Sequence, residues 1–179
     1  MNVFIIGGTS GIGLALASYY HLQGNRVGVC GRDLQKLADE SRFEKYQADV
    51  TNIVQLQNVI QQFVGKRTLS LLINCAGSYA EDVADDISYE EAVAMLQTNI
   101  MGAVNCLEVG RKAMCHTGGQ IVLLASISGI LDYPESSLYT KTKRSVIQIA
   151  DAYRRALRRY GIAITTIAPG YVDTQKPKP

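Results

Sequence analysis

The stretch Val3-Phe4-Ile5-Ile6-Gly7-Gly8-Thr9-Ser10-Gly11-Ile12-Gly13 decides the fold. Its first four residues are apolar and mostly β-branched, the pattern of a strand buried on both faces of a sheet. Glycines follow at positions 7, 8, 11 and 13, and Leu14-Ala15-Leu16-Ala17 then opens a helical pattern. A strand, a glycine-rich turn and a helix start in that order leave backbone N–H groups pointing outward, with the helix dipole behind them. An anion is favoured there. Glycine lets the backbone turn tightly and lets a pyrophosphate approach without meeting a Cβ, although glycine-rich turns also serve as plain loops.

Outward from this stretch, apolar runs alternate with helical patterns. A helix over Gly13–Gln23 ends at Gly24-Asn25, a helix-stop signal, and a strand follows at Val27–Cys30. The expected series continues with a helix over Asp33–Glu40, a strand over Tyr46–Ala48 and a helix from Thr51 or Asn52 to Val64. Next come a strand over Ser70–Ile73, a long helix over Ser88–Ala113 and a strand over Gln120–Ala125. A helix over Tyr139–Tyr160 and a strand over Ile162–Ala168 complete it. This alternation predicts an α/β chain, a Rossmann-like doubly wound parallel sheet in three α/β/α layers, forming one domain over residues 1–179. No repeat, low-complexity tract or linker interrupts it.

A chain of 179 residues with 47% hydrophobic and 19% charged content reads as an ordinary soluble globular protein. Its net charge of +2 gives no footing for nucleic acid or a membrane surface as partner. Arg154, Arg155, Arg158 and Arg159 form one basic cluster, read as a solvated helix face. Cys30, Cys75, Cys106 and Cys115 show no metal-ligand spacing, so no metal is expected and the thiols read as reduced. With no basic segment ahead of a short first apolar run, the expected location is cytoplasmic.

The spacing Gly7-x-x-x-Gly11-x-Gly13 departs from the commonest dinucleotide fingerprint. It resembles that of the short-chain dehydrogenase/reductase family, with Ile6 where a threonine is usual. Four further landmarks fall in the family's order. Asn74-Cys75-Ala76-Gly77 is similar to N-N-A-G, with Cys75 replacing an asparagine. Asn99 stands in the long helix. Ser126 ends a strand, followed after thirteen residues by Tyr139-x-x-x-Lys143. Pro169-Gly170-Tyr171-Val172-Asp173-Thr174 is similar to P-G-x-V-x-T. The resemblance covers Val3 to Thr174.

That resemblance implies an NAD(P)-dependent oxidoreductase acting on a small-molecule carbonyl or alcohol. Tyr139 becomes the general acid or base, Ser126 polarises the carbonyl, and Asn99 kinks its helix and supports a proton relay through water. Tyr139 and Lys143 stand at i and i+4 on one helix face, so the ammonium is expected to lower the phenol pKa and also to bind the nicotinamide ribose. Cofactor contacts are implied for Gly7, Thr9, Ser10, Gly11, Ile12 and Gly13, for Asp49 and Val50, and for Asn74, Ala76 and Gly77. Pro169, Gly170, Val172 and Thr174 complete the implied set at the nicotinamide end.

In a dinucleotide fold an acid at the end of the second strand holds the ribose 2′-hydroxyl. Gly31 occupies that position and Arg32 follows. A guanidinium without the acid suits a 2′-phosphate, so NADP(H) is expected ahead of NAD(H); the other reading of Arg32 is a surface residue capping the next loop. The competing class is a non-catalytic dinucleotide-binding redox sensor. Family members commonly run longer, so a short or missing substrate-lid region is expected, with Gln175–Pro179 an exposed tail. Homodimer pairing is expected through the helices at 88–113 and 139–160, and Ser128, Ile130, Tyr133 and Tyr171 are candidates for the pocket wall.

Overall fold

The computed structural model describes residues 1–37, 40–80, 87–131 and 137–174, the side chain of Lys36 apart. Strand β1 (Asn2–Ile6) lies between β2 (Arg26–Gly31) and β4 (Leu71–Asn74), and Val3 through Ile6 are at most 1% exposed. β3 (Glu44–Gln47) flanks β2, while β5 (Gly119–Leu124) and β6 (Ile162–Ile167) continue beyond β4. The order is β3-β2-β1-β4-β5-β6, and every pair is parallel. The chain therefore reverses direction across the sheet between β1 and β4. At such a switch point the loops at the carboxyl ends of the strands diverge and leave a crevice.

Strand side chains alternate between faces. Phe4 and Ile6 join a core with residues of α2 (Ile53–Val64), α4 (Gly102–Met114) and α5 (Leu138–Leu157), among them Phe63, Leu107 and Val146. Val3 and Ile5 join the opposite core with Ala17 of α1 (Gly11–Leu22). The Phe4 ring lies 5.2 Å from Phe63 and 5.7 Å from Tyr46. Each such fully buried side chain contributes about 1.5–3 kcal/mol. Burial on both faces thus explains both the apolar run and the parallel pairing.

Three local expectations are corrected. Asp33 accepts the Gln35 N–H at 2.8 Å, a turn that competes with a helix, and the described residues of the stretch where a helix over Asp33–Glu40 is expected hold a 3₁₀ turn at Gln35–Leu37. Glu44 pairs with Arg26 at 2.5 and 2.7 Å and so starts β3 two residues before Tyr46. The long helix is not continuous. A capping box of Ser88 and Glu91 opens α3 (Tyr89–Leu96), a π-helical turn over Gln97–Met101 follows, and α4 then resumes. Such wide turns recur at functional sites.

In the basic cluster Arg154 ion-pairs with Asp151 and also donates to the Ile164 carbonyl at 3.0 Å, tying α5 to β6. Tyr133 and Gln175–Pro179 lie outside the described residues. Among the described residues no helix is long and apolar enough to cross a membrane.

Candidate active site

Two cavities open at the carboxyl ends of the strands, of about 210 Å³ beside β1–β3 and about 550 Å³ beside β4–β6. Gly7, Ser10, Cys75 and Gly77 wall both, so they form one groove over the switch point.

Backbone builds the middle of this groove. Gly7 has φ +74°, and a Cβ there would lie 2.6 Å from the Ala76 nitrogen. At Gly13 a Cβ would lie 2.2 Å from the Gly7 carbonyl oxygen, so only glycine lets α1 start this close under the turn. Ser10 precedes α1 but its side chain makes no capping hydrogen bond. Gly11, Ile12 and Gly13 line the larger cavity and Thr9 the smaller. Asn74 stands behind the wall: it is buried, and its Oδ1 accepts the Ala76 N–H at 3.0 Å, which curls Ala76 and Gly77 into the groove.

The smaller cavity is closed by Arg32, Asp33, Asp49 and Val50. Sequence reasoning passed over the residue that holds Val50 in place. Buried Asn105 of α4 donates to the carbonyls of Val50 and Thr51 at 2.9 and 3.1 Å.

At the other end, the larger cavity brings together Ser126, Tyr139, Lys143, Pro169, Gly170, Val172 and Thr174. Ser126 ends β5 and caps a 3₁₀ turn, its Oγ accepting the Ser128 N–H at 3.2 Å. Ser137 caps α5 by accepting the Thr140 N–H, which sets Tyr139 in the first turn and Lys143 one turn on. Ser126 and Tyr139 line the same cavity, and the Ser126 hydroxyl is near enough to the phenol to act on its pKa. Lys143 is buried; its Nζ donates to the Leu124 carbonyl at 3.2 Å and stands 5.6 Å from the Tyr139 ring centroid.

The electrostatics depart from expectation. Burial raises the Tyr139 pKa, only partly offset by the nearby Ser126 hydroxyl, and Lys143 does not pull it down as the i, i+4 spacing predicts. The ammonium is anchored on the Leu124 carbonyl and is itself destabilised: burial pushes Lys143 down to about 8, with nearby Cys75 opposing. Cys75 is pushed up to about 12 by burial, so it remains a thiol.

Asn99 is also more committed than a water-holding role requires. Its Oδ1 accepts the Ser78 N–H at 2.8 Å, and its Nδ2 donates to the Ser78 carbonyl at 2.9 Å and to Thr142 Oγ1 at 3.0 Å. Both amide hydrogens are therefore engaged by protein. The pocket wall differs too: Ser128, Ile130 and Tyr171 are not among its residues, whereas Tyr79 is. Nothing local marks Tyr79, since an aromatic two places after Gly77 has no spacing signal.

The groove fits a dinucleotide. Side-chain-free backbone and an uncapped helix start suit a pyrophosphate, and the open guanidinium of Arg32 suits a further phosphate. A doubly wound sheet with a hydroxyl, a phenol and an ammonium at its reaction end defines a nicotinamide-dependent oxidoreductase.

A sequence profile of the short chain dehydrogenase family matches residues 1–179, and the chain belongs to that family. An uncharacterised oxidoreductase of Staphylococcus aureus strain MW2 is 31% identical over 180 residues, covering 95% of this chain and 77% of that protein. The structure of ElxO with NADP bound superposes with a TM-score of 0.88 at 31% identity, covering 97% of this chain and 75% of that one. Serine dehydrogenase from Escherichia coli follows at 0.86 and 28%, covering 95% and 82%. The protein is an NAD(P)-dependent oxidoreductase of the short-chain type.

Proposed function

We propose that the protein transfers a hydride between NADP(H) and a small carbonyl or alcohol compound, with Tyr139 as proton donor in reduction and acceptor in reverse. The observation that carries this is the convergence of Ser126, Tyr139 and Lys143 on one cavity that continues into the glycine-walled groove. The NADP bound to ElxO supports the cofactor, as does Arg32 beside Gly31.

The groove's residues divide the cofactor among them. Gly7, Thr9, Ser10, Gly11, Ile12 and Gly13 take the pyrophosphate region, Arg32 the 2′-phosphate, and Asp49 with Val50 the adenine side. Asn74 acts by shaping the turn that presents Ala76 and Gly77. Lys143, Pro169, Gly170, Val172 and Thr174 take the nicotinamide end. When bound, the nicotinamide supplies or accepts the hydride.

The chain's own groups handle the proton. An oxygen set between Ser126 and Tyr139 meets two hydroxyl donors, which stabilise the negative charge it gains. The raised pKa of Tyr139 keeps the phenol protonated at neutral pH, the form that reduction consumes, and an alkoxide is basic enough to take that proton. Lys143 stays largely charged below pH 8, and its ammonium, held on the Leu124 carbonyl, serves the nicotinamide end rather than the phenol. Asn99 holds this end together through Ser78 and Thr142.

NADPH consumption on a panel of aldehydes, ketones and quinones, beside cofactor binding by fluorescence, tests the reading. Tight binding with consumption on at least one carbonyl is expected; binding without turnover across the panel overturns hydride transfer in favour of a sensor.

We also propose a cytoplasmic homodimer paired through the helices at 88–113 and 139–160. Leu96 and Met101 leave large apolar side chains exposed on the first of these, and all four cysteines are free thiols, as in a reducing compartment. Light scattering that gives one or four subunits overturns the pairing.

A further inference from the structure

Tyr79 sits on the loop after β4, and its ring meets that of Tyr139 edge to face, with centroids 5.1 Å apart and planes at 84°. The contact is held in place from behind. Asn99 grips the N–H and the carbonyl of Ser78, and its amide also donates to Thr142, whose hydroxyl donates to the Tyr139 carbonyl at 2.7 Å. One buried side chain thus ties the residue before Tyr79 to the backbone of Tyr139.

Tyr79 nevertheless remains 59% exposed, on the wall of the cavity that holds Ser126, Tyr139 and Lys143. A large ring left open beside a reacting group is a surface for something flat. Among the described residues lining this cavity the only charged side chain is Lys143, whose ammonium is already bonded to the Leu124 carbonyl. No second cation among the described residues lines the cavity for a substrate carboxylate or phosphate, and Val172 adds a half-exposed apolar wall. Aromatic pairs add affinity beyond their buried area, most in offset or edge-to-face arrangements.

We propose that Tyr79 is a specificity-determining residue and that the substrate is an uncharged ketone or aldehyde carrying an aromatic ring beside its carbonyl. The ring packs on Tyr79 while the oxygen bonds to Ser126 and Tyr139. This rests on the hydride-transfer reading above.

The test compares acetophenone with butanone on the NADPH-loaded protein, with acetophenone binding to the NADP⁺ complex measured by calorimetry. The parent should favour acetophenone in kcat/KM. Tyr79→Ala should lower that value about 10-fold, chiefly through KM, while butanone changes by less than about 2-fold and NADPH binding holds. Tyr79→Phe, which keeps the ring, should retain the preference. Equal losses for both ketones would make Tyr79 a mere support for Tyr139 and overturn the proposal, as would no loss for either. If the parent reduces neither ketone, calorimetry decides. Acetophenone binding that Tyr79→Ala weakens upholds the aromatic wall and places the failure in hydride transfer; absence of binding overturns the wall itself.

Discussion

The groove's glycine turn is made of backbone, whereas the end beyond it is made of side chains. At the turn, Gly7 and Gly13 leave no room for a Cβ, and the groove's shape is inseparable from the way α1 packs against β1. At the reaction end, Ser126, Tyr139 and Lys143 meet in one cavity. Ser126 Oγ also caps a turn and Lys143 Nζ also bonds the Leu124 carbonyl, whereas no backbone group of the described residues bonds the Tyr139 phenol. Changes at the first end should therefore alter fold and cofactor binding together. Removing the Tyr139 phenol oxygen at the second should alter chemistry with the fold intact.

Tyr139→Phe is the sharpest way to break this contrast. It removes one oxygen, so turnover should fall by about 100- to 10,000-fold while melting temperature and NADPH affinity barely move. Near-normal turnover would mean the proton comes from elsewhere. Gly13→Ala is its counterpart. The new Cβ would press on the Gly7 carbonyl, which cannot yield without opening the turn, so urea unfolding should show a loss of about 3 kcal/mol. NADPH affinity should fall with it; an unchanged affinity would uncouple binding from the turn.

The same contrast decides what the sequence alone discloses. The strands and the glycine turn are legible because apolar runs and glycine chemistry act over a few neighbouring residues. Tyr139 and Lys143 are legible because i, i+4 spacing places them on one helix face. The Tyr79–Tyr139 contact is not, because it joins residues 60 apart whose backbones are brought together by the long-range Asn99–Thr142 bond. Nor is the direction of the Tyr139 shift: helix spacing cannot tell that the Leu124 carbonyl anchors the lysine. The 3₁₀ turn at Gln35–Leu37 was hidden for a different reason, since one Asp33 side-chain bond outweighed a reasonable helical composition.

Lys143 makes the reaction end a source of instability as well as chemistry. Its pKa is about 8 in the folded protein against 10.5 for an ordinary lysine, so between these values the unfolded chain binds more protons. Stability from this group therefore rises with pH across that window, and below about pH 8 the buried charge exacts its full cost. Lys143→Met removes the slope. The stability advantage of the variant over the parent, without cofactor, should shrink by about 2 kcal/mol between pH 7 and about pH 9.5. The unfolded thiols begin to ionise near 9.0 with the opposite sign, but they do so in both proteins and cancel. Parallel pH profiles would show that Lys143 is better solvated than its surroundings imply.

Arg32 offers the smallest effect and the finest probe, because it is a side-chain device set beside the backbone-built turn. Its carbonyl accepts a hydrogen bond from Gln47 Nε2 at 3.1 Å, which fixes the loop, while the guanidinium makes no hydrogen bond to the described residues. Next to it, a Cβ on Gly31 would lie 2.7 Å from the Thr9 side chain, so the acid that binds a free ribose hydroxyl cannot enter without displacing Thr9. In the proposed reading, a 2′-phosphate is favoured both by what Arg32 offers and by what Gly31 leaves out. NADPH should bind more tightly than NADH, and Arg32→Ala should erase most of a difference of about 10- to 150-fold. Since the arginine is exposed, added salt should weaken NADPH binding more than NADH binding in the parent and equally in the variant. Equal affinities for the two cofactors in the parent, measured by fluorescence titration, would refute the preference and leave Arg32 as a loop residue.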